Sequence, residues 1–349
     1  MKYSVLDLAC LREGQTYRDA YDSQLALAKA VDGFGYERYW IAEHHNSKTI
    51  ASSATQLLIQ RMLANTSNMR VGSGGVMLPN HSPYLVAEQY ATLETLYPGR
   101  VDLGLGRAPG TDMATAKAIR RTKDLYPDFE GDVAELVSYF EDSGRVHAYP
   151  AAGLHVPLYI LGSSTTSAYF AAAQGLPYSF AAHFAPGDME AAIQIYCSLF
   201  NPSKYLDEPY VILGINGIVA DTDDEARRIA TTHTQSVLNI LNDSRKGLLP
   251  PKASEEELWE DYAAAEYVPH FGPVAFDKES FIGHEKNIAK QMTAVSLVGS
   301  PDSFAQQLEE LKSRVHIDEI MVNSFIYDLN DQIRSYELIA QTMDARFAD

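Results

Sequence analysis

Residues 39–46 read YWIAEHHN: an apolar run ends in an acid, two histidines and an amide, Glu43, His44, His45 and Asn46. Three chemistries compete for such an ending: a metal site, a polar strand end without special role, and the wall of an active site. Neighbouring residues of an extended chain point to opposite faces, so His44 and His45 do not easily share one metal. No H-x-x-x-H or C-x-x-C spacing completes a ligand set, and no metal is expected. A histidine that donates or shuttles protons near neutral pH suits a redox or oxygenation site better. For His45 a structural hydrogen bond is the simpler reading.

Two further stretches carry chemistry. Gly72-Ser73-Gly74-Gly75 lies inside an otherwise apolar run. Glycines there weaken a strand, so they mark either a tight corner or the close approach of a flat ligand, for which Gly74 and Gly75 would form a smooth bed. Gly162-Ser163-Ser164-Thr165-Thr166-Ser167 joins a β-rich run to a helical one. It is either a simple helix cap or an anion site, in which free amides, the helix dipole and the hydroxyls of Ser163, Ser164 and Ser167 receive a phosphate. Arg107 ends the preceding β-rich run, and its charge favours phosphate.

The elements that must position these residues follow a repeating pattern. Strands are expected at 3–9, 38–42, 70–78, 101–106, 158–161, 179–182, 211–220 and 319–323. Helical periodicity covers 17–34, 53–64, 83–96, 165–174, 188–199, 224–241, 303–314 and 331–346. Gly33 and Gly35 close the first helix, Ser52 and Ser53 are candidate caps of the second, and Pro83 opens the third. About eight strand-then-helix units make an α/β chain with the count of a closed (β/α)8 TIM barrel. A doubly wound open sheet is the alternative, but no G-x-G-x-x-G follows the first strand. Residues 108–156 and 243–295, after the fourth and seventh strands, are too long for simple connections and read as insertions, either lids over a site or solvated excursions. The 349 residues are expected to form one barrel domain, 1–349. In such a barrel the site lies at the C-terminal strand ends. There the polar and glycine-rich stretches gather: 43–46, 72–75, 107–112, 162–167 and 323–324.

The bulk properties remove several functions. A net charge of −18 disfavours nucleic acid or an anionic membrane as main partner. The two cysteines, Cys10 and Cys197, stand far apart in apolar surroundings and are expected as reduced, buried thiols. No apolar run approaches the roughly 20 residues of a bilayer span, and no leader pattern is present. A cytoplasmic protein is expected.

Three stretches together, YWIAEHHN, RVGSGGVMLPNHSPYLVAEQYATLETLYPGRVDLGLGRAPGTD and PLYILGSSTTSAYFAAAQGLP, resemble the bacterial luciferase-like flavin monooxygenases. The resemblance covers nearly the whole chain and is nearest the single-component FMN type that emits no light. It implies a barrel that uses reduced FMN and dioxygen to oxygenate a small organic substrate. It matches His44, with Glu43 beside it, to the active-site histidine. Gly74–Gly75 corresponds to a non-proline cis peptide beneath the flavin, and Arg107 with Ser163, Ser164 and Ser167 to the phosphate site. Glu88 corresponds to an acid under the flavin segment, in a supporting role. A homodimer and a separate NAD(P)H:flavin reductase are also implied. Two departures, Gly106 in place of a reactive cysteine and Ser163 in place of a glutamate, put light emission and a long-chain aldehyde in doubt. Two alternatives stay open: a deazaflavin-dependent hydride-transfer enzyme and a non-catalytic flavin-binding protein.

Overall fold

A computed structural model of the chain describes residues 1–120, 128–242, 244, 246–265, 270–271, 274–275 and 278–348. In chain order the elements are β1 (Lys2–Asp7), α1 (Tyr17–Asp32), β2 (Arg38–Ile41), α2 (Thr55–Leu63), β3 (Arg70–Met77), α3 (Pro83–Leu96), β4 (Val101–Gly106), α4 (Met113–Arg120), α5 (Phe129–Phe140), β5 (Leu158–Gly162) and α6 (Thr165–Gln174). Then follow β6 (Tyr178–Phe180), α7 (Met189–Leu199), β7 (Val211–Val219), α8 (Asp223–Leu241), α9 (Glu255–Ala265), the hairpin β8 (His270–Phe271) and β9 (Val274–Ala275), α10 (Lys278–Met292), β10 (Ser296–Gly299), α11 (Pro301–Arg314), β11 (Glu319–Asn323) and α12 (Leu329–Arg346).

Eight strands run parallel in the order β11, β1, β2, β3, β4, β5, β6, β7, and β7 pairs again with β11, so the sheet closes. This is the expected (β/α)8 barrel rather than an open sheet. Every residue of β4 and β7 is buried, as strands packed on both faces require. The helices start and stop for local reasons. Thr16 and Asp19 form a reciprocal capping box at α1. Gly175, at φ +60°, ends α6 in the left-handed conformation that glycine adopts without penalty.

Two expectations need correction and one holds. Neither Ser52 nor Ser53 caps α2; Ala54 holds that position, and the Ser52 hydroxyl is buried without a partner. Gly33 closes α1 as expected, in a right-handed conformation, and Gly35, two residues later at φ +85°, makes the turn. β10 was not foreseen. It pairs with the far half of β7, from Asn216 to Val219, while β11 takes the near part, Ile212 to Asn216. Four residues between two helices carry too little periodicity to announce a strand.

The N-terminal end of the barrel is plugged by charge. Arg38 reaches Glu319 at 2.8 Å, Asp102 at 2.7 Å and the Tyr159 hydroxyl at 2.8 Å. Arg70 and the Trp40 indole N–H complete Asp102, and the Tyr210 hydroxyl completes Glu319. Above this layer Leu6, Trp40, Ala42, Tyr159, Ile212 and Met321 form an apolar floor. The insertion after β4 supplies α4 and α5; its residues 121–127 lie outside the described residues. In the insertion after β7, whose residues 243, 245, 266–269, 272–273 and 276–277 also lie outside them, α9 and α10 pack on α8 through Val237, Leu238, Leu258, Trp259 and Ile282. Among the described residues no helix is long and apolar enough to cross a membrane.

Candidate active site

Past Ile41 the chain stays extended, held by amide bonds from His44 to Ser52 and from His45 to Gly110. Extended backbone sends alternate side chains to opposite sides. His44 therefore faces a cavity at the C-terminal mouth of the barrel, while Glu43 and His45 turn the other way and meet each other. The cavity holds about 660 Å³, within the usual range for a small-molecule site. Gly74, Arg107, Ser163, Ser164 and Ser167 line it together with His44. Six of the eight predicted site residues thus share one space. Glu43 and Gly75 do not line it.

Glu43 is buried beneath. One carboxylate oxygen, Oε1, accepts from His45 Nε2 at 2.9 Å and His81 Nε2 at 2.8 Å; the other, Oε2, accepts from the Met77 amide at 3.2 Å. Burial opposes the ionised form, but the bonds from His45 and His81 win and hold the acid down at about 2. Glu43 is thus a fixed anion that ties the end of β2 to the end of β3. Its carboxylate, expected as a catalytic group beside His44, faces His45 and His81 and does not line the cavity. His45 makes the structural hydrogen bond expected of it. His81 was not foreseen as a partner; it lies 38 residues from Glu43, beyond any local spacing rule. Among the described residues these three bring possible metal-ligating atoms within 4.8 Å of one another, and the carboxylate already binds both imidazoles.

The glycine stretch forms a wall. The Gly74–Gly75 peptide bond is cis. A Cβ on Gly74 would sit 2.7 Å from Leu6 and 3.0 Å from Trp40, so the backbone lies directly on the barrel floor. A Cβ on Gly75 would instead meet the Gly104 carbonyl of β4 at 2.7 Å; Gly75 serves strand packing. Glu88 is the acid expected under this segment. It is half-buried on α3 beside Tyr84, because the inward face of that helix is taken by Ala87, Tyr90, Ala91 and Glu94.

The residues expected to form an anion cradle stand on two loops. Arg107 follows β4, in a loop tied by Asn80 to the Pro109 carbonyl and by Asn46 to Asp112. It is exposed and has no ion-pair partner among the described residues. Ser164 is the residue before α6, with extended backbone, and its hydroxyl makes no capping bond. The first-turn amides of α6 are therefore free of a side-chain cap at the cavity edge. Ser167 differs: its hydroxyl donates to the Ser164 carbonyl at 2.7 Å and meets the Tyr178 hydroxyl at 3.0 Å. Ser167 shapes the turn, and its oxygen can offer a ligand only acceptance.

Three histidines stand along the cavity: His44, His183 after β6, and His233 on α8. Burial lowers all three, to about 4 for His183 and His233, so all are neutral at pH 7. The Nδ1 atoms of His44 and His183 are buried without a hydrogen-bond partner of normal geometry. His183 and His233 escaped the sequence reading because each stands alone, in the stretches SFAAHF and TTHTQ. Both cysteines are free, and burial pushes the cavity-lining Cys10 thiol up to about 12.

Comparison with known proteins agrees with this geometry. The family model described as luciferase-like monooxygenase matches residues 1–316. YddN of Bacillus subtilis, of uncharacterised function, is 45% identical over 99% of this chain and 96% of its own length. A luciferase-like monooxygenase of Escherichia coli is 40% identical over 96% and 95%. The oxygenase component of a flavin-dependent trigonelline monooxygenase from Acinetobacter baylyi is 22% identical over 86% and 87%. Among solved structures, apo-MsnO8 superposes with a TM-score of 0.83 at 32% identity over 98% and 97%. At the level of fold alone, the oxygenating constituent of a diketocamphane monooxygenase in complex with FMN matches with a TM-score of 0.67 at 17% identity over 99% of both chains. An F420-dependent secondary alcohol dehydrogenase matches at 0.65 and 15% over 98% and 99%. A closed barrel whose strand ends gather Arg107, the Ser163–Ser167 turn, a glycine wall and His44 is thus accompanied by a matching family model and by relatives named luciferase-like monooxygenases, and this chain belongs to the luciferase-like monooxygenase family of flavin-dependent enzymes.

Proposed function

We propose that this chain is one barrel domain, residues 1–349, that takes reduced FMN from a separate NAD(P)H:flavin reductase and uses it with dioxygen to oxygenate a small organic substrate. The observation that carries the reading is the convergence on one cavity of the Arg107 and Ser164 cradle, the Gly74 wall and the His44 imidazole. The residues present fit a flavin: a cationic, amide-rich end for a phosphate, a flat wall that a Cβ would fill, and a neutral imidazole beside it. Arg107, Ser163, Ser164 and the α6 amides hold the phosphate. Gly74 lets a ring lie close to the floor. Bound reduced FMN would supply the electrons that activate dioxygen. His44, kept neutral by burial, holds or moves a proton at its cavity-facing nitrogen. The apolar wall excludes water, which otherwise diverts the reaction towards hydrogen peroxide. The trigonelline enzyme's designation as an oxygenase component supports a partner reductase. A homodimer is part of the same reading.

Binding titrations with FMN, FAD and a deazaflavin, each oxidised and reduced, test it through absorbance and fluorescence. Preference for reduced FMN is expected. Preference for the deazaflavin would replace oxygen transfer by hydride transfer, a reading that the fold likeness to an F420-dependent dehydrogenase supports. Replacing His44 by Ala is expected to lower product formed per flavin consumed, while reduced FMN still binds; unchanged coupling would remove the proton role.

A further inference from the structure

The cavity is larger and more varied than a flavin cradle needs. Beyond the glycine wall its lining is Leu6, Leu8, Phe184, Val237, Met292 and Phe325 with polar interruptions. Among the described residues no carboxylate is in that lining, and the two cations there, Arg107 and Lys246, are both exposed. The inner wall therefore carries no formal charge at neutral pH. What it does carry is His183 and His233. His233 is buried and lies flat on Phe325, with ring centroids 5.0 Å apart and planes at 12°. His183 has its Nδ1 against Gly214, where a Cβ would come within 2.5 Å, leaving Nε2 as the nitrogen open to the cavity. Each ring is near enough to the next to feel its charge, from His44 through His183 to His233. Burying an imidazole without a partner costs free energy. The orphaned atom of His183 is Nδ1, on the Gly214 side; what the cavity offers a ligand is its Nε2, with the His233 imidazole on the same wall.

We propose that His183 and His233 form the substrate-recognition subsite of this enzyme, and that it takes an uncharged, largely apolar molecule held through one hydroxyl, carbonyl or ether-type oxygen. The proposal rests on the cavity being the active site, as read above. A neutral imidazole offers a donor at one nitrogen and an acceptor at the other, so it pairs with such an oxygen in either tautomer. An anion would lie beside no opposite charge in the inner wall and would lose its hydration. A cation would find no carboxylate among the described lining residues. The aromatic pair of His233 and Phe325 gives a flat surface for the apolar body.

The test uses three probes with one skeleton: propylbenzene, 3-phenylpropan-1-ol and 3-phenylpropanoate. Their binding to the full-length protein is measured by calorimetry, with and without saturating FMN. In the wild type the alcohol is expected to bind about five-fold or more tighter than the hydrocarbon, the range of one completed buried hydrogen bond. The carboxylate should bind no tighter than the hydrocarbon. His183→Phe should bring the alcohol within about two-fold of propylbenzene, a contrast of the size lost with that one bond. His183→Gln should restore part of the preference, and His233→Phe should weaken it while keeping the stack on Phe325. Equal binding of alcohol and hydrocarbon in the wild type overturns the proposal without relying on any variant. So does an unchanged preference in both phenylalanine variants, or binding of none of the probes. Tightest binding of the carboxylate also overturns it and assigns the subsite to Lys246. A separate titration with reduced FMN reports on the flavin reading alone: its failure would leave the probe contrast intact, and failure of the contrast would leave flavin binding intact.

Discussion

At the scale of single residues, position relative to the cavity decides role more than residue type does. Arg107 is exposed and unpartnered among the described residues, so nothing in the fold depends on its charge. Arg107→Ala should leave the melting temperature nearly unchanged and weaken reduced-FMN binding by about ten-fold or more, the weight of a charge-assisted contact. Equal flavin affinity in the variant would remove Arg107 from the cradle. Glu43 is the opposite case. Its carboxyl is drawn from an ordinary 4.5 to about 2 in the folded protein, and its side chain is 1% exposed. A depressed acid stabilises the fold above its unfolded pKa, and that contribution disappears as pH falls from about 4.5 through about 2. Its size is about 3 kcal/mol for a shift of this kind. Glu43→Gln should be less stable than wild type at pH 7 and should lose less on acidification over that window, as read by urea unfolding at stepped pH. Parallel pH curves for the two proteins would show that the buried anion is not the source of the acid sensitivity.

At the scale of elements, the tight approach of β3 to its neighbours sets the site. Gly74 rests on Leu6 and Trp40 side chains, whereas a Cβ on Gly104 of β4 would stand 2.2 Å from the Ser73 carbonyl. Side chains can move aside; a carbonyl inside a closed barrel cannot. Gly74→Ala is expected to cost about 1–3 kcal/mol as overpacking and to lower flavin affinity. Gly104→Ala should destabilise more, although it lies outside the cavity lining. Urea midpoints in the reverse order would contradict this account of the wall. The elements themselves were largely readable. Helix α3 was bounded to the residue by Pro83 and the end of its periodicity, and β4 by an apolar run between Arg100 and Arg107. The four-residue β10 was not, because pairing with β7 rather than its own pattern makes it a strand.

At the scale of the whole molecule, the barrel separates structure from chemistry along its axis. The N-terminal end is closed by Arg38 between Asp102 and Glu319, all nearly inaccessible. Removing the cation leaves the buried Glu319 without its cationic partner and Asp102 with Arg70 alone, and loss of one partner of a buried pair typically costs about 3–5 kcal/mol. Arg38→Met should show that loss in chemical denaturation while the folded fraction binds flavin with wild-type affinity. A flavin-binding defect in folded Arg38→Met would mean that the two ends are coupled. At the other end, α8 and Met292, the last residue of α10 in the insertion after β7, line the cavity.

The sequence alone determined the eight-unit rhythm, because strand and helix periods are local, and it determined which segments end at the barrel mouth, because polar and glycine-rich chemistry follows each strand. From that, His44, Gly74, Arg107, Ser163, Ser164 and Ser167 were found together. Tertiary structure decided what each does. It turned Glu43 inward onto His45 and His81, because alternate side chains of an extended segment face opposite ways. It placed Glu88 on the flank of α3, and it spent the Ser167 hydroxyl on its own turn. It also brought His183 and His233, 50 residues apart and without a motif, to one wall. Barrel closure sets distances between strand ends that are far apart in sequence, and no local pattern encodes those distances.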